Sequence, residues 1–218
     1  MEQDQLEEKE MRYIIGAYGA GNRGDDAILA GILKIFGRED LIVCSHDPIE
    51  TTCLFRIPST KDFLLLDHLI VGGGGLLYDH SASNYMNKIN RYLDNDKNVT
   101  VYAIGSHPLS TDREIVRNTL NRLDQISVRT SWDRDNLINI GVECKIDVVQ
   151  DPALLIETPP RDLIFNLLEQ YFDLSRPLIG ISTRNYSEYI LPLLNILKDL
   201  KEEYILIPIV CCKHKFYL

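Results

Sequence analysis

The sequence predicts an α/β protein: a doubly wound, mostly parallel sheet of Rossmann-like type, followed by an incomplete second α/β lobe. Three observations carry the prediction. Short apolar runs alternate with amphipathic helix patterns from Met11 to Val149. The first run passes through a glycine-rich turn straight into a helix, the unit from which such sheets are built. After Ile156 a proline-bearing stretch, Glu157-Thr158-Pro159-Pro160-Arg161, interrupts the alternation before it resumes.

Residues 1–10 are polar and mostly acidic, an expected flexible leader, and Met11 is an equally good start. Met11 to Ile15 forms the first strand. The turn after it holds Gly16, Gly19, Gly21 and Gly24, as a loop needing positive φ or close backbone approach would. Ile28, Leu29, Ile32, Leu33, Ile35 and Phe36 then recur at helical spacing, with Asp25 as the expected N-cap and Asp26 as a first-turn acid. Leu41 to Ser45 is the second strand, Lys61 to Leu66 a short helix, and His68 to Val71 the third strand. That strand runs into Gly72-Gly73-Gly74-Gly75-Leu76-Leu77-Tyr78-Asp79. Consecutive glycines lose much backbone entropy on folding, so either the backbone approaches something closely here or the run is a hinge.

Asn84 to Leu93 is helical in pattern, and Asn98 to Ile104 is a strand ending at Gly105-Ser106-His107-Pro108. A helix over Thr111 to Leu123 and a strand over Gln125 to Arg129 follow. Ser131 to Ile140 is a helix capped by Ser131 and closed by Gly141. A strand over Lys145 to Val149 completes the first lobe, residues 11–156. Beyond the linker at 157–160, residues 161–218 supply a helix (Arg161 to Tyr171), a strand (Pro177 to Ser182), a helix (Tyr186 to Leu200) and a strand (Tyr204 to Val210). Two strands with their helices bury too little for a second core, so most of a second lobe is expected to be missing.

The chain of 218 residues carries a formal net charge of -9. That balance excludes a general nucleic-acid or anionic-membrane binder, which needs a positive field, but leaves room for a small anion met by a few converging arginines. Cys44, Cys53, Cys144, Cys211 and Cys212 are odd in number and contain no CxxC pair, so neither a disulfide framework nor a zinc site is expected, and Cys44 and Cys53 read as small apolar packers. No metal site is expected. No signal-peptide pattern and no run long enough to span a membrane occur, so the expected compartment is the cytoplasm.

Gly19-Ala20-Gly21-Asn22-Arg23-Gly24 fits GxGxxG, and Asp47 follows the second strand at the distance of a ribose-binding acid. Asp25 and Asp26 argue against a dinucleotide. A pyrophosphate would need the N–H groups and positive dipole end that two carboxylates compete for and repel it from. A capped turn without any ligand is the bland alternative.

GAYGAGNRGDDAIL, LIVGGGGLLYD, an Ile104-Gly105 pair, ISVRTSWDRDNLINIGV and QDPALL stand here in that order. In this combination the sequence resembles the polysaccharide pyruvyl transferase family over about Arg12 to Leu155, and IGISTRNY at Ile179 to Tyr186 continues it. The resemblance implies a two-lobed, GT-B-like fold with its active site in the cleft between lobes. It implies transfer of a pyruvyl group from phosphoenolpyruvate to two sugar hydroxyls as a ketal, on cell-wall or extracellular polysaccharide. The partners implied are phosphoenolpyruvate and a saccharide or lipid-linked saccharide acceptor, with no cofactor and no nucleic acid. The sequence departs from the family at Thr130, where an aspartate usually follows the arginine, and in the short second lobe. Turnover by this chain alone is therefore not expected.

Phosphoenolpyruvate carries a phosphate and a carboxylate, so its site needs arginine forks or nests of backbone N–H groups. Candidate substrate-binding residues are Gly19, Gly21, Asn22, Arg23 and Gly24 in the first turn, Gly73, Gly74 and Gly75 in the second, and Arg184. Candidate catalytic residues are Arg129, His107 and Asp79. Each has a structural alternative: Arg129 paired with an acid such as Asp133, His107 an ordinary loop residue, Asp79 a cap on the next helix. Asp151 is expected to hold its own turn. The runner-up function is a GT-B-type glycosyltransferase using a nucleotide-sugar, and the non-enzymatic one a truncated gene product that only folds or binds.

Overall fold

A computed structural model describes residues 9–181, 187–200 and 203–209; the leader at 1–8, Arg184 and the tail from 210 lie outside them. The chain forms two compact units, Met1–Ile156 and Glu157–Leu218. The first contains β1 (Arg12–Ile15), α1 (Arg23–Phe36), β2 (Leu41–Cys44), α2 (Pro48–Phe55), β3 (Ser59–Thr60), β4 (His68–Leu77), α3 (Ala82–Leu93), β5 (Asn98–Ser106), α4 (Arg113–Leu120), β6 (Gln125–Val128), α5 (Ser131–Asn139), β7 (Lys145–Val148) and a 3₁₀ turn, Pro152–Leu155. All seven strands pair in parallel, in the order β3-β2-β1-β4-β5-β6-β7. This is the Rossmann-like, doubly wound sheet the alternation predicts. The order reverses between β1 and β4, and at that point ligands of such sheets bind, beyond the strands' carboxyl ends.

Both faces of the sheet are buried, as a parallel sheet requires. The period of two along a strand divides its side chains: Ile14 and Ile70 join Ile28, Leu29, Ile32 and Leu33 of α1 on one face. Tyr13, Ile15, Leu69 and Val71 join Met86, Ile89 and Tyr92 of α3 and Val116 and Leu120 of α4 on the other. Each fully buried aliphatic side chain contributes about 2 kcal/mol. The second unit contains α6 (Arg161–Glu169), β8 (Leu178–Ile181), α7 (Ser187–Leu200) and β9 (Ile205–Pro208), with β8 and β9 paired in parallel. Among the described residues no helix is long and apolar enough to cross a membrane.

Several local expectations are corrected. Lys61 to Leu66 is irregular rather than helical. Its apolar residues are used one at a time: Phe63, Leu64 and Leu66 pack against the core, and the Tyr92 hydroxyl accepts from Leu66 N (2.9 Å) and donates to Leu64 O (2.8 Å). The helix in this region lies earlier, as α2, where Asp47 accepts from Glu50 N and Pro48 starts the first turn. The N-cap of α1 is Asn22, which accepts from Gly24 N at 3.0 Å, so Asp25 and Asp26 are both first-turn acids. The N-cap of α5 is Thr130, one residue before Ser131, accepting from Asp133 N. Gly141, at φ +90, closes α5 as expected. Cys53 is exposed rather than packed.

Gly31, in the middle of α1, faces the 3₁₀ turn. A Cβ there would overlap the carbonyl of Pro152. Alanine at a helix interior normally gains about 1 kcal/mol over glycine. Here the clash is with backbone and outweighs it, so Gly31→Ala should lower the unfolding free energy by about 2 kcal/mol in a urea titration. A gain in stability would mean that α1 and the turn are not in contact.

Candidate functional site

The glycine run of β4 is where α1 touches the sheet backbone. A Cβ on Gly72 would come within 2.5 Å of Ile32 Cδ1, and one on Gly73 (φ +63) would overlap Ile28 Cγ2. Gly74 (φ +83) faces Asp25, whose Oδ1 stands 3.2 Å from the Cβ position. The run is thus a surface of close approach, and its occupant is a helix of the same chain. Tyr18, buried at the turn after β1, donates its hydroxyl to the Gly72 carbonyl and ties the two glycine segments together. Gly75 is the one exposed residue of the run, and its Cβ position lies 3.7 Å from His107 Nε2 and 3.8 Å from Arg129 Nη2.

Arg129 stands just past β6, its N–H donating to Ile104 O at 3.2 Å. Its guanidinium lies over Gly105 of β5. A Cβ on Gly105 would overlap Nη2 and come 3.1 Å from Cζ, so the arginine can lie there only because residue 105 is glycine. Nη1 donates to Asp151 Oδ2 at 3.0 Å, whereas Nε is buried with no partner among the described residues. Asp151 also accepts from Ala153 N (3.0 Å), so it holds its own turn as expected and orients Arg129 as well. The partner expected for Arg129, Asp133, is occupied elsewhere. It is buried and accepts from Ser106 N (2.7 Å) and from the Thr130 hydroxyl (2.7 Å), fixing the end of β5 to the start of α5. His107 is exposed, held through its N–H on Leu77 O (2.8 Å), with its ring edge-to-face on Trp132 at 5.8 Å.

Asp25 completes the group. One carboxylate oxygen accepts from Asn22 Nδ2 at 2.8 Å. Burial raises its pKa above the usual carboxylate range, the Asn22 hydrogen bond opposes this, and the charges of Asp26 and Asp151 (raising) and Arg129 (lowering) are also felt. Gly74, Gly75, Asn22, Asp25, His107, Arg129 and Asp151 therefore converge on the carboxyl edge of β4, β5 and β6. Asp25, Asp151 and Gly105 were not among the sequence candidates. The available signal was position: Arg129 and Asp151 each follow the end of one of two neighbouring strands, β6 and β7.

Other candidates lie apart from this group. Gly19 (φ +68) packs on Ser45 and Asp47, and Gly21 has φ +79 in the same turn. Gly24 donates its N–H to Asn22, and Gly73 is covered by Ile28. Arg23 is exposed and pairs with Asp26 (2.9 Å) and Glu50 (3.6 Å). Asp47, the ribose-binding alternative, caps α2 instead. Asp79 does cap, but not the helix expected: it accepts from Ser110 N, Thr111 N and Asp112 N at 2.9 to 3.1 Å, and from the Ser110 hydroxyl, just before α4. Those donors, the Ser110 hydroxyl first, hold its carboxyl well below the usual range, so it stays ionised at neutral pH. Among the described residues no group of His, Cys, Asp and Glu is arranged to hold a metal ion.

The model of one protein family, polysaccharide pyruvyl transferase, matches residues 22–211. The chain belongs to the polysaccharide pyruvyl transferase family. No curated protein matches it. The matched segment begins at Asn22, the N-cap of α1, and contains Asp25, Gly74, Gly75, His107, Arg129 and Asp151. It also contains Thr130, the N-cap of α5. Its hydroxyl both accepts from Asp133 N and donates to the Asp133 carboxylate.

The Asp79 cap gives a signed pH dependence. Its folded pKa is depressed, so its stabilisation is present above the unfolded value of about 3.9 and is lost as pH falls through the folded value. Asp79→Ala should lower the urea midpoint at pH 7, and the difference from wild type should shrink steadily below about pH 4. A difference independent of pH would assign the effect to packing.

Proposed function

We propose that the residues of this chain serve the transfer of a pyruvyl group from phosphoenolpyruvate to two hydroxyls of a saccharide acceptor. The observation that supports this best is the Arg129 guanidinium, fixed by Asp151 over Gly105 with a buried Nε that has no partner among the described residues, in a member of this family. A buried donor without a partner is costly and favours an anion that completes it. The carboxylate or phosphate of phosphoenolpyruvate is such an anion, and an arginine fork suits either.

On this reading the enol methylene gains a proton, and an acceptor hydroxyl adds to the central carbon. A second hydroxyl then displaces inorganic phosphate and closes the ketal. Of the two hydroxyl protons, one ends in the new methyl group and the other on phosphate. Asp25, whose burial favours its protonated form, is the proposed donor to the methylene. His107, beside Gly75 and Arg129, is the proposed acceptor of the hydroxyl proton. The chemistry is neither a redox reaction nor dependent on an organic cofactor, because the enol phosphate carries its own activation. Phosphoenolpyruvate is an intracellular metabolite, so the reading puts transfer in the cytoplasm, with the acceptor free or lipid-linked. The acids on the first turn of α1 disfavour the nucleotide-sugar alternative at that helix.

Calorimetry with phosphoenolpyruvate tests the reading. Arg129→Ala should weaken binding by about 2 kcal/mol, roughly 30-fold, and Gly105→Ala should weaken it as well by displacing the guanidinium. Asp25→Asn should leave binding intact, abolish any ketal formation in the presence of acceptor, and raise the melting temperature at pH 7. The sign of the last effect follows from the raised pKa: a charged Asp25 is disfavoured in the fold above that pKa, and asparagine removes the charge. Phosphoenolpyruvate binding that ignores Arg129→Ala would sink the assignment.

A further inference from the structure

A cavity of about 320 Å³ opens at the carboxyl ends of β1, β2 and β3, lined by none of the residues assigned to the Arg129 group. Gly16 follows β1, His46 follows β2 and Lys61 follows β3, while Asn84, Tyr85 and Lys88 present one side of α3 to the same space. The whole chain has 32 Asp and Glu against 23 Lys and Arg, yet among the described residues no carboxylate lines this cavity. Two lysines and a histidine do.

Neither lysine has a carboxylate partner among the described residues. Lys88 is half-buried, with its ammonium 5.6 Å from the centroid of the Tyr85 ring, which keeps it on the cavity wall. Lys61 is exposed and Lys88 half-buried, and with no described carboxylate paired to either, although the charge of Asp25 is felt at Tyr85, the natural completion is an anion. The donors are numerous and varied: two ammonium groups, the His46 ring, the Asn84 amide and the Tyr85 hydroxyl. A carboxylate offers two oxygens, a phosphoryl group three or more in a tetrahedral array, so the donor set fits phosphate better.

We propose that this cavity binds a phosphoryl group of a substrate. The anion site stands on its own lining; that its ligand is a substrate rests on the pyruvyl-transfer reading. Its phosphate belongs either to a phosphorylated saccharide or to phosphoenolpyruvate, and the two sources separate experimentally.

The test is calorimetric titration of the full chain with inorganic pyrophosphate at low ionic strength. Wild type should bind. The Lys61→Gln, Lys88→Gln double variant should bind at least tenfold more weakly, the corresponding double arginine variant should retain binding, and the same tenfold loss should persist in an Arg129→Gln background, which removes the anion fork at Arg129. Circular dichroism melting confirms that the variants fold. In parallel arms, a sugar 1-phosphate that loses affinity in the double glutamine variant makes the pocket an acceptor site, and phosphoenolpyruvate losing affinity there makes it a donor site. Either result supports the pocket. Absence of pyrophosphate binding by wild type, or equal binding by the double glutamine variant, overturns it, and phosphoenolpyruvate affinity for Arg129→Gln, measured in the same series, shows separately whether the transfer reading survives.

Discussion

The carboxyl edge of this sheet is built on one steric constraint: α1 rests directly on the backbone of β4. Ile28 and Ile32 occupy the space that side chains at positions 72 and 73 would fill, so the depth of the helix is set by the absence of Cβ atoms beneath it. Consequences propagate from there. With α1 at that depth, Gly31 accepts the Pro152 carbonyl, and the turn it receives carries Asp151 to Arg129. Arg129 in turn lies over Gly105. Tyr18 closes the loop from the other side, its ring over Gly16 and its hydroxyl on Gly72. A methyl group at any of these glycines would disturb the same assembly.

The two carboxylates Asp25 and Asp79 show how environment, rather than residue type, divides chemical roles. Asp79 meets three backbone N–H groups and a hydroxyl, which stabilise its charge, and it serves as a permanent anion that shapes the loop before α4. Asp25 loses water on packing over Gly74 and recovers only one side-chain hydrogen bond, from Asn22, so its proton is held more tightly. An acid retained at a position where its charge is disfavoured lowers stability at neutral pH. Such positions concentrate at functional sites, which is the physical reason to prefer Asp25 over Asp79 as a proton donor.

The sheet was legible because its signals are local and repeated. β1 and the buried face of α1 follow from periods of two and 3.6, and Gly141 marks a helix end by its own backbone requirement. Misreadings occurred where tertiary contacts overrule pattern. The apolar residues of Lys61 to Leu66 resemble a helix face, yet the Tyr92 hydroxyl and the core take them individually. The Asp-Pro start of α2 is a local signal for a helix there, and the cap of α1 falls at Asn22, three residues before Asp25, because the Asn22 side chain already takes Gly24 N. At the site, Arg129 and His107 were found from strand ends. Asp151 required knowing that β6 and β7 are neighbours, and Gly105 required knowing that a guanidinium crosses above it.

The charge layout explains how an acidic chain can still favour small anions. At physiological ionic strength the Debye length is about 8 Å, so the net charge of -9 acts weakly on a ligand already inside a cavity. Contact groups dominate there, namely the Arg129 fork at one place and the two lysines at another. A polyanion is in a different position. It spans many screening lengths and feels the net charge of -9 as well as the local cluster, which is why the composition disfavours it. On the proposed readings, a phosphate or carboxylate is therefore met by contact groups, beside Gly75 and Gly105 or in the cavity against α3, whose reach ends within one screening length.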